Sequence, residues 1–204
     1  MIERVLLARH GQTEWNLQGR RQGQLDSPLT EQGFEQARRN AELLDAVDIV
    51  FTSPLGRAVS TAKIFAEHLG ATVMVIDELA ELHHGRLAGL TNNEIKQQHN
   101  NEWHRRTQDK YRWRFPDGES YADVDERAAT ALTLIEGHAA DRPLIVSHEM
   151  IGRMLLRRLL DLDPADALRR HHPHNVIYEV IPGFAHLQEL QSPNPLHDDP
   201  TPAP

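Results

Sequence analysis

The chain has 204 residues, enough for one domain with a substantial core and short for two, and its 39% apolar and 25% charged residues suit a soluble globular protein. A formal net charge of −8 argues against a generic nucleic-acid or membrane-surface binder, so an anionic ligand would need a local basic pocket against an acidic background. Cysteine is absent, which excludes disulfides, thiolate metal sites and a cysteine nucleophile.

Met1-Ile2-Glu3-Arg4 leads directly into Val5-Leu6-Leu7-Ala8, a consecutive apolar run that predicts a buried strand. With no signal peptide and no apolar stretch of membrane-spanning length, a cytoplasmic enzyme is the expectation. Residues 10–29 read as a loop. Thr30 looks like an N-cap for a helix whose apolar face is Phe34, Ala37, Ala41 and Leu44. Ile49-Val50-Phe51 is the next strand, and Ser53-Pro54 opens a helix with a stripe from Ala58 through Phe65 to Leu69. Thr72 to Ile76 is a third strand. Residues 82–119 are polar and interrupted by glycines, with short helices at most. Ser120 and Asp123 match a capping box before Val124, Ala128, Ala131, Leu132 and Ile135. Leu144-Ile145-Val146 is a fourth buried strand, Ile151 to Leu162 a helix, and Asn175 to Ile181 a last strand. The alternation predicts an α/β fold, a mostly parallel central sheet with helices on both faces. From Ser192 the chain is proline-rich without lysine or arginine, so residues 192–204 read as a disordered tail.

In open α/β sheets ligands bind where strands end. The first strand ends in Arg9-His10-Gly11. The second runs through Ser53-Pro54-Leu55-Gly56 to Arg57. The third is followed by Glu78 and Glu81, and the fourth by Ser147-His148. If these strands are parallel, one rim holds two arginines, two histidines and a carboxylate. The chemistry that suits this set is phosphoryl transfer without a metal. Arg9 and Arg57 would clamp the phosphate oxygens with paired planar donors. His10, with one ring nitrogen unprotonated, would attack phosphorus in line. His148, held cationic by the phosphate, would stabilise charge on the equatorial oxygens. Glu81, its pKa raised beside a dianion, would protonate the leaving alkoxide and then activate water. Helix N-termini near Arg57 and His148 would add backbone N–H donors for the anion.

The stretch Leu7-Ala8-Arg9-His10-Gly11-Gln12-Thr13-Glu14-Trp15-Asn16 resembles the signature of the histidine phosphatase superfamily, also called phosphoglycerate mutase-like. So do Gln22-Gly23, Pro28-Leu29-Thr30, Ser53-Pro54-Leu55-Gly56-Arg57-Ala58, Glu81 with Gly85 and Gly89, Pro116-Asp117-Gly118-Glu119-Ser120 and Val146-Ser147-His148, in that order. The resemblance implies a three-layer α/β domain over residues 1–191 with residues 82–119 as its lid or substrate region. It makes His10 the phosphorylated nucleophile, completes its pocket with Arg9, Arg57 and His148, and makes Glu81 the proton donor. It also puts Asn16, Gln22 and Gly23 beside the phosphate or leaving group. The family usually has glycine where this chain has Glu149, and a carboxylate there must point away from the substrate or pair with an arginine. The expected partner is a small phosphorylated metabolite, with no cofactor, metal, nucleic acid or membrane. Oligomeric state is open, a homodimer being one option.

Mutases of the family carry a long insertion between the acid and the second histidine. Here that interval is residues 82–147, which favours hydrolysis over mutase-type transfer. A non-catalytic phospho-ligand or protein-docking module is the other alternative. Trp103, Arg105, Arg106, Lys110, Tyr111, Arg112, Trp113, Arg114 and Phe115 read equally as a basic lid or as a solvated helix face packed by its aromatics. His171-His172-Pro173-His174 reads as a turn before the last strand rather than a metal site.

Overall fold

Alternation along the first strand decides the architecture. In the computed structural model, which describes residues 2–138 and 140–193, β1 (Val5–Arg9) sends Val5 and Leu7 into one buried cluster and Leu6 and Ala8 into another. A strand apolar on both faces must be covered on both. After β1 come α1 (Glu14–Leu17), α2 (Glu31–Ala41), β2 (Ile49–Thr52), α3 (Gly56–Leu69), β3 (Thr72–Val75), α4 (Asn92–Gln98), α5 (Asn100–Gln108) and α6 (Tyr121–Glu136). Then follow β4 (Leu144–Ser147), α7 (Glu149–Leu160), α8 (Pro164–Arg169), β5 (Val176–Ile181) and β6 (His186–Gln191). The sheet order is β3-β2-β4-β1-β5-β6, parallel from β3 to β1 and antiparallel from β1 to β6. Ala41 of α2 with Ala58, Ala62 and Phe65 of α3 covers the Leu6 face, and α6 and α7 cover the Leu7 face through Ala128, Ile135, Ile151 and Leu155. The expected three-layer α/β arrangement is the one observed.

Register positions the site. Arg9 pairs with Ser147, and Val146 pairs with both Ala8 and Thr52, so β1, β2 and β4 end level. The ladder continues one step, with His10 N–H donating to Ser147 O at 3.0 Å and Ser53 N–H to Val146 O at 3.2 Å. His10, Ser53 and His148 therefore leave the sheet side by side.

The expected caps form: Thr30 Oγ accepts from Gly33 N–H, and Ser120 and Asp123 make a reciprocal box. The loop read over residues 10–29 contains α1, capped by Thr13 and Asn16. α8 was not anticipated; Asp163 caps it and Pro164 starts it. Nor was β6, whose two apolar residues, Leu187 and Leu190, are three apart and give no strand period. Ser192, at the predicted start of the tail, is buried, and its hydroxyl donates to Asn40 Oδ1. The rest of that predicted tail, residues 194–204, lies outside the described residues. Among the described residues no helix is long and apolar enough to cross a membrane.

Candidate active site

His10 sits on the first residue beyond β1, and two glycines hold it there. A Cβ on Gly11 would overlap the Gly33 carbonyl, and one on Gly33 would overlap Gln12 O, so the loop after β1 presses directly on the first turn of α2. Thr61 of α3 accepts from Gly11 N–H at 3.1 Å. The His10 ring is 3% exposed. Its Nδ1 lies 2.7 Å from Gly11 O, which can only accept, so the neutral ring carries its proton on Nδ1 and a lone pair on Nε2. Arg57 Nε–H points at that lone pair from 3.3 Å. Burial first, then Arg57, His148, His174 and Arg9, pushes His10 well below the usual imidazole range. The ring is thus neutral at neutral pH, with its basic nitrogen facing a cluster of cations.

His148, the N-cap residue of α7, is fully buried with its ring centroid 5.1 Å from that of His10. Its Nε2 is 2.7 Å from Ser53 Oγ, which accepts from Leu55 N–H and can donate to the ring; the ring proton then lies on Nδ1, which has no protein partner. Burial, then Arg57 and Arg9, pushes His148 well below its ordinary value, so its cationic form requires an anion nearby. Arg9 Nη1 donates to Glu149 Oε2 at 3.1 Å and to His172 O at 3.2 Å, while its buried Nε is unpartnered. Two orphaned polar atoms, Arg9 Nε and His148 Nδ1, thus come from the residues bracketing the ends of β1 and β4.

Arg57 differs from the simple clamp expected of it. Its Nη2 donates to Gly23 O at 2.7 Å, and its Nη1 to Leu25 O at 2.8 Å and Asp26 at 3.1 Å, so its outer donors tie down the 23–26 loop and its Nε faces His10. The expectation that helix N-termini offer free donors is corrected. Arg57 N–H, at the start of α3, donates to Asp26, and Met150 and Ile151 N–H, at the start of α7, donate to Glu81 at 3.1 Å each. A carboxylate from another segment reaches each helix end first, because uncompensated terminal N–H groups attract the nearest anion. Glu81 also accepts from Leu82 N–H at 2.8 Å, so three amides converge on it beside His148.

Glu149 resolves the two options left by the sequence: it pairs. It accepts from Arg9, from Arg153 Nη2 at 2.8 Å and from His172 N–H at 3.2 Å. Burial acts to raise its pKa, but Arg9, Arg153 and His172 outweigh it and hold the carboxyl below its usual range. Asn16 Oδ1 is engaged by Thr13, and Gln22 Nε2 donates to Thr13 Oγ at 2.7 Å, leaving Gln22 Oε1 buried and unpartnered. Gly23 takes a φ of +55°, and its carbonyl receives Arg57.

Eight of the nine predicted residues line one cavity of about 450 Å³; the ninth, His148, does not line it, but its ring lies 5.1 Å from that of His10. The lining holds eight arginine or lysine side chains (Arg9, Arg20, Arg21, Arg57, Arg106, Lys110, Arg153 and Arg169) against two carboxylates, Glu81 and Glu149, a strongly basic pocket in an acidic protein. The 103–115 segment divides between its two readings. Arg106 and Lys110 line the cavity, whereas Arg105, Arg112 and Arg114 are exposed and paired with Glu102, Asp109 and Asp123. Phe115 is core, Trp113 packs edge-on against it at 4.6 Å, and Tyr111 donates to Asp125.

Sequence reasoning gave no role to Ser53, Thr61, His84 or His174. His174 Nδ1 donates to the His10 carbonyl, and its ring is 5.4 Å from His10. His84 lines the cavity, buried against Phe115, with Nδ1 unpartnered. Ser53 lies within a block that resembled the family; His174 lay in a run read as a turn, and no local pattern marks it.

These features are those of an α/β enzyme whose cationic site lies at the carboxyl ends of parallel strands. A profile of the histidine phosphatase superfamily (branch 1) matches residues 5–191, and the chain belongs to that family. A Cronobacter sakazakii protein named probable phosphoglycerate mutase GpmB is 40% identical over 193 residues, covering 89% of this chain and 87% of that one. Among solved structures, the alpha-ribazole phosphatase of Shigella flexneri superposes with a TM-score of 0.80 at 27% identity, covering 86% of this chain and 89% of that one. A mycobacterial glucosyl-3-phosphoglycerate phosphatase solved with VO3 gives 0.77 at 27% identity, covering 93% and 97%.

Proposed function

We propose that this protein hydrolyses a small phosphate monoester through a phosphohistidine on His10. The observation that carries the reading is the tautomer of His10. Its Nδ1–H is fixed by Gly11 O, so the Nε2 lone pair faces a cationic cavity, with Arg9 Nε and His148 Nδ1 unpartnered in the residues beside it. In the first step Nε2 attacks phosphorus in line, the P–O bond to the alcohol breaks, and protonated Glu81 gives its proton to the departing oxygen. The incoming dianion favours the cationic form of His148. In the second step Glu81 takes a proton from water as the water oxygen bonds to phosphorus. The P–N bond then breaks and its electrons return to His10 Nε2.

The relatives carry mutase and phosphatase names side by side. The short interval between Glu81 and His148 supports hydrolysis, because a mutase must exclude water while its phosphoenzyme waits. The deciding experiment measures phosphate release from a panel of monoesters against interconversion of 3- and 2-phosphoglycerate. Release with acid-labile ³²P on the wild-type protein, both lost in His10→Ala, is expected. Interconversion outpacing hydrolysis would replace the reading with a mutase, and ligand binding without turnover would replace it with a docking module.

A further inference from the structure

Glu81 is held differently from its neighbours in the site. His10 and His148 follow strands and Arg57 lies on α3, whereas Glu81 stands on irregular main chain between two short 3₁₀ turns, Asp77–Leu79 and Gly85–Leu87. A reacting group on such a segment needs outside support, since a misplacement of about 1 Å can cost about a hundredfold in rate. The support comes from behind. Arg127, on α6, uses all five of its donors. Its Nη1 donates to Glu78 O at 2.7 Å and to Ala80 O at 2.5 Å, and its Nη2 to Glu81 O at 3.4 Å and Glu119 Oε2 at 2.9 Å. Its Nε donates to Glu119 Oε1 at 3.0 Å, and Glu119 Oε2 also accepts from His83 N–H at 2.8 Å. One ion pair therefore grips the main chain on both sides of Glu81.

The loop that delivers Glu119 is moulded to the same segment. Glu119 N–H donates to His83 O and Arg86 N–H to Pro116 O, at 2.9 Å each, and a Cβ on Gly118 would overlap His83 O. This gives a role to the Pro116-Asp117-Gly118-Glu119-Ser120 block, which resembles the family and yet supplies no residue to the cavity lining. Arg127 does not line the cavity either, so neither member of the pair meets a ligand there. The two side chains are 18% and 21% exposed. At that burial desolvation offsets much of the Coulombic gain, and what such a pair supplies well is a single conformation. The charge of Arg127 is also felt at the site: after burial, Arg57 and Arg9, it is among the causes that push His148 below its ordinary value.

We propose that Arg127 and Glu119 are positioning residues for Glu81, fixing the main chain around it so that its carboxyl is in place for the departing oxygen before substrate arrives. This rests on the phosphomonoesterase reading for what Glu81 does. Where Glu81 stands can be followed without turnover. Met150 and Ile151, in the first turn of α7, have no intrahelical acceptor for their N–H groups, and both donate to Glu81. Their protection from hydrogen exchange reports the place of its carboxylate.

The test compares the full-length wild-type, Arg127→Gln and Glu119→Gln proteins on two esters, glycerol 3-phosphate and 4-nitrophenyl phosphate. The alkoxide of the first needs a proton to leave, whereas 4-nitrophenolate leaves with little help from an acid. The quantity read is kcat/KM, which covers the steps through departure of the leaving group. Arg127→Gln is expected to lower it about 100-fold for glycerol 3-phosphate and less than about tenfold for 4-nitrophenyl phosphate, because only the first reaction depends on a placed acid. Glu119→Gln should act in the same direction by about tenfold. Amide exchange followed by NMR should quicken at Met150 and Ile151 by at least about tenfold in Arg127→Gln, and by more than in the β1–β4 ladder, which reports global stability. If Arg127→Gln does not melt cooperatively, Glu119→Gln, which leaves Arg127 its three carbonyl acceptors, carries both readouts. Equal losses on the two esters, or unchanged exchange at the two amides, overturn the positioning role. If the wild-type protein turns over neither ester, the proposed activity falls instead, and the two amides alone decide whether the ion pair places Glu81.

Discussion

The two ends of the cavity solve opposite problems. At the His10 end, charged groups are tied to protein partners: Arg57 to the 23–26 loop and Asp26, Arg9 to Glu149, and Glu81 to three amides. That end is built for geometry, since a nucleophile must be held in line with its target before substrate arrives. At the Arg106 end Arg21, Arg106 and Lys110 have no carboxylate partner among the described residues: the Trp103 face lies beneath Arg21 and Arg106, and Arg21 Nε donates to the neutral Asn92 Oδ1 at 3.0 Å. Precision needs saturated partners, and affinity for an anion needs unsaturated ones; one pocket holds both.

The largest effect should come from the ordered end. His10→Ala is expected to lower kcat by about 10³-fold or more and to abolish phosphoenzyme labelling. Retained turnover would mean that another group attacks phosphorus. Next comes His174, a positioning residue that donates to the His10 carbonyl and sets its ring 5.4 Å from that of His10. His174→Ala should lower kcat by about tenfold with KM little changed, because orientation rather than binding is lost. His174→Asn, which can place an amide N–H near the same point, should recover part of the loss. A KM change without a kcat change would assign His174 to binding instead.

Substitution of Glu149 tests the pairing that orders the His10 end. Glu149→Gln leaves Arg9 and Arg153 without their shared counter-charge. Stability should fall by about 1–2 kcal/mol, while the freed cations should tighten inhibition by inorganic phosphate by about threefold. Loss of all activity would place Glu149 in the chemistry itself.

What the sequence revealed follows from range. Val5–Ala8, Ile49–Phe51 and Leu144–Val146 are local apolar runs, and the residue that ends each is read in the same glance. Parallel pairing then suffices to bring His10, Ser53 and His148 together. The capture of the two helix ends by Asp26 and Glu81 was not legible, because each carboxylate arrives from a loop whose path no periodicity records. The adjacency of Arg21 and Arg106 is hidden for the same reason: they are far apart in the chain and meet only over Trp103. His174 was concealed differently, since a histidine bonding a main-chain carbonyl leaves no residue pattern at either position.

The smallest expected effect tests the unpaired end through protonation alone. Lys110 is pulled down to about 8 by burial and then by Arg106, Arg153 and Arg21, with Glu149 opposing weakly. Its unfolded value is about 10.4. Between these two values the unfolded chain binds more protons than the folded one, so this group makes stability rise with pH across that window, and below it the protonated lysine costs stability. An anion bound in the cavity beside Lys110 should relieve that cost only while Lys110 is charged. Low-millimolar sulfate, a dianion throughout, should therefore raise Tm by about 3 °C near pH 7 and by less near pH 9. In Lys110→Gln the response should be smaller near pH 7 and nearly the same near pH 9. Identical sulfate responses in the two proteins at both pH values would show that Lys110 does not meet the anion, and the contrast between the two ends of the cavity would then rest on Arg21 and Arg106 alone.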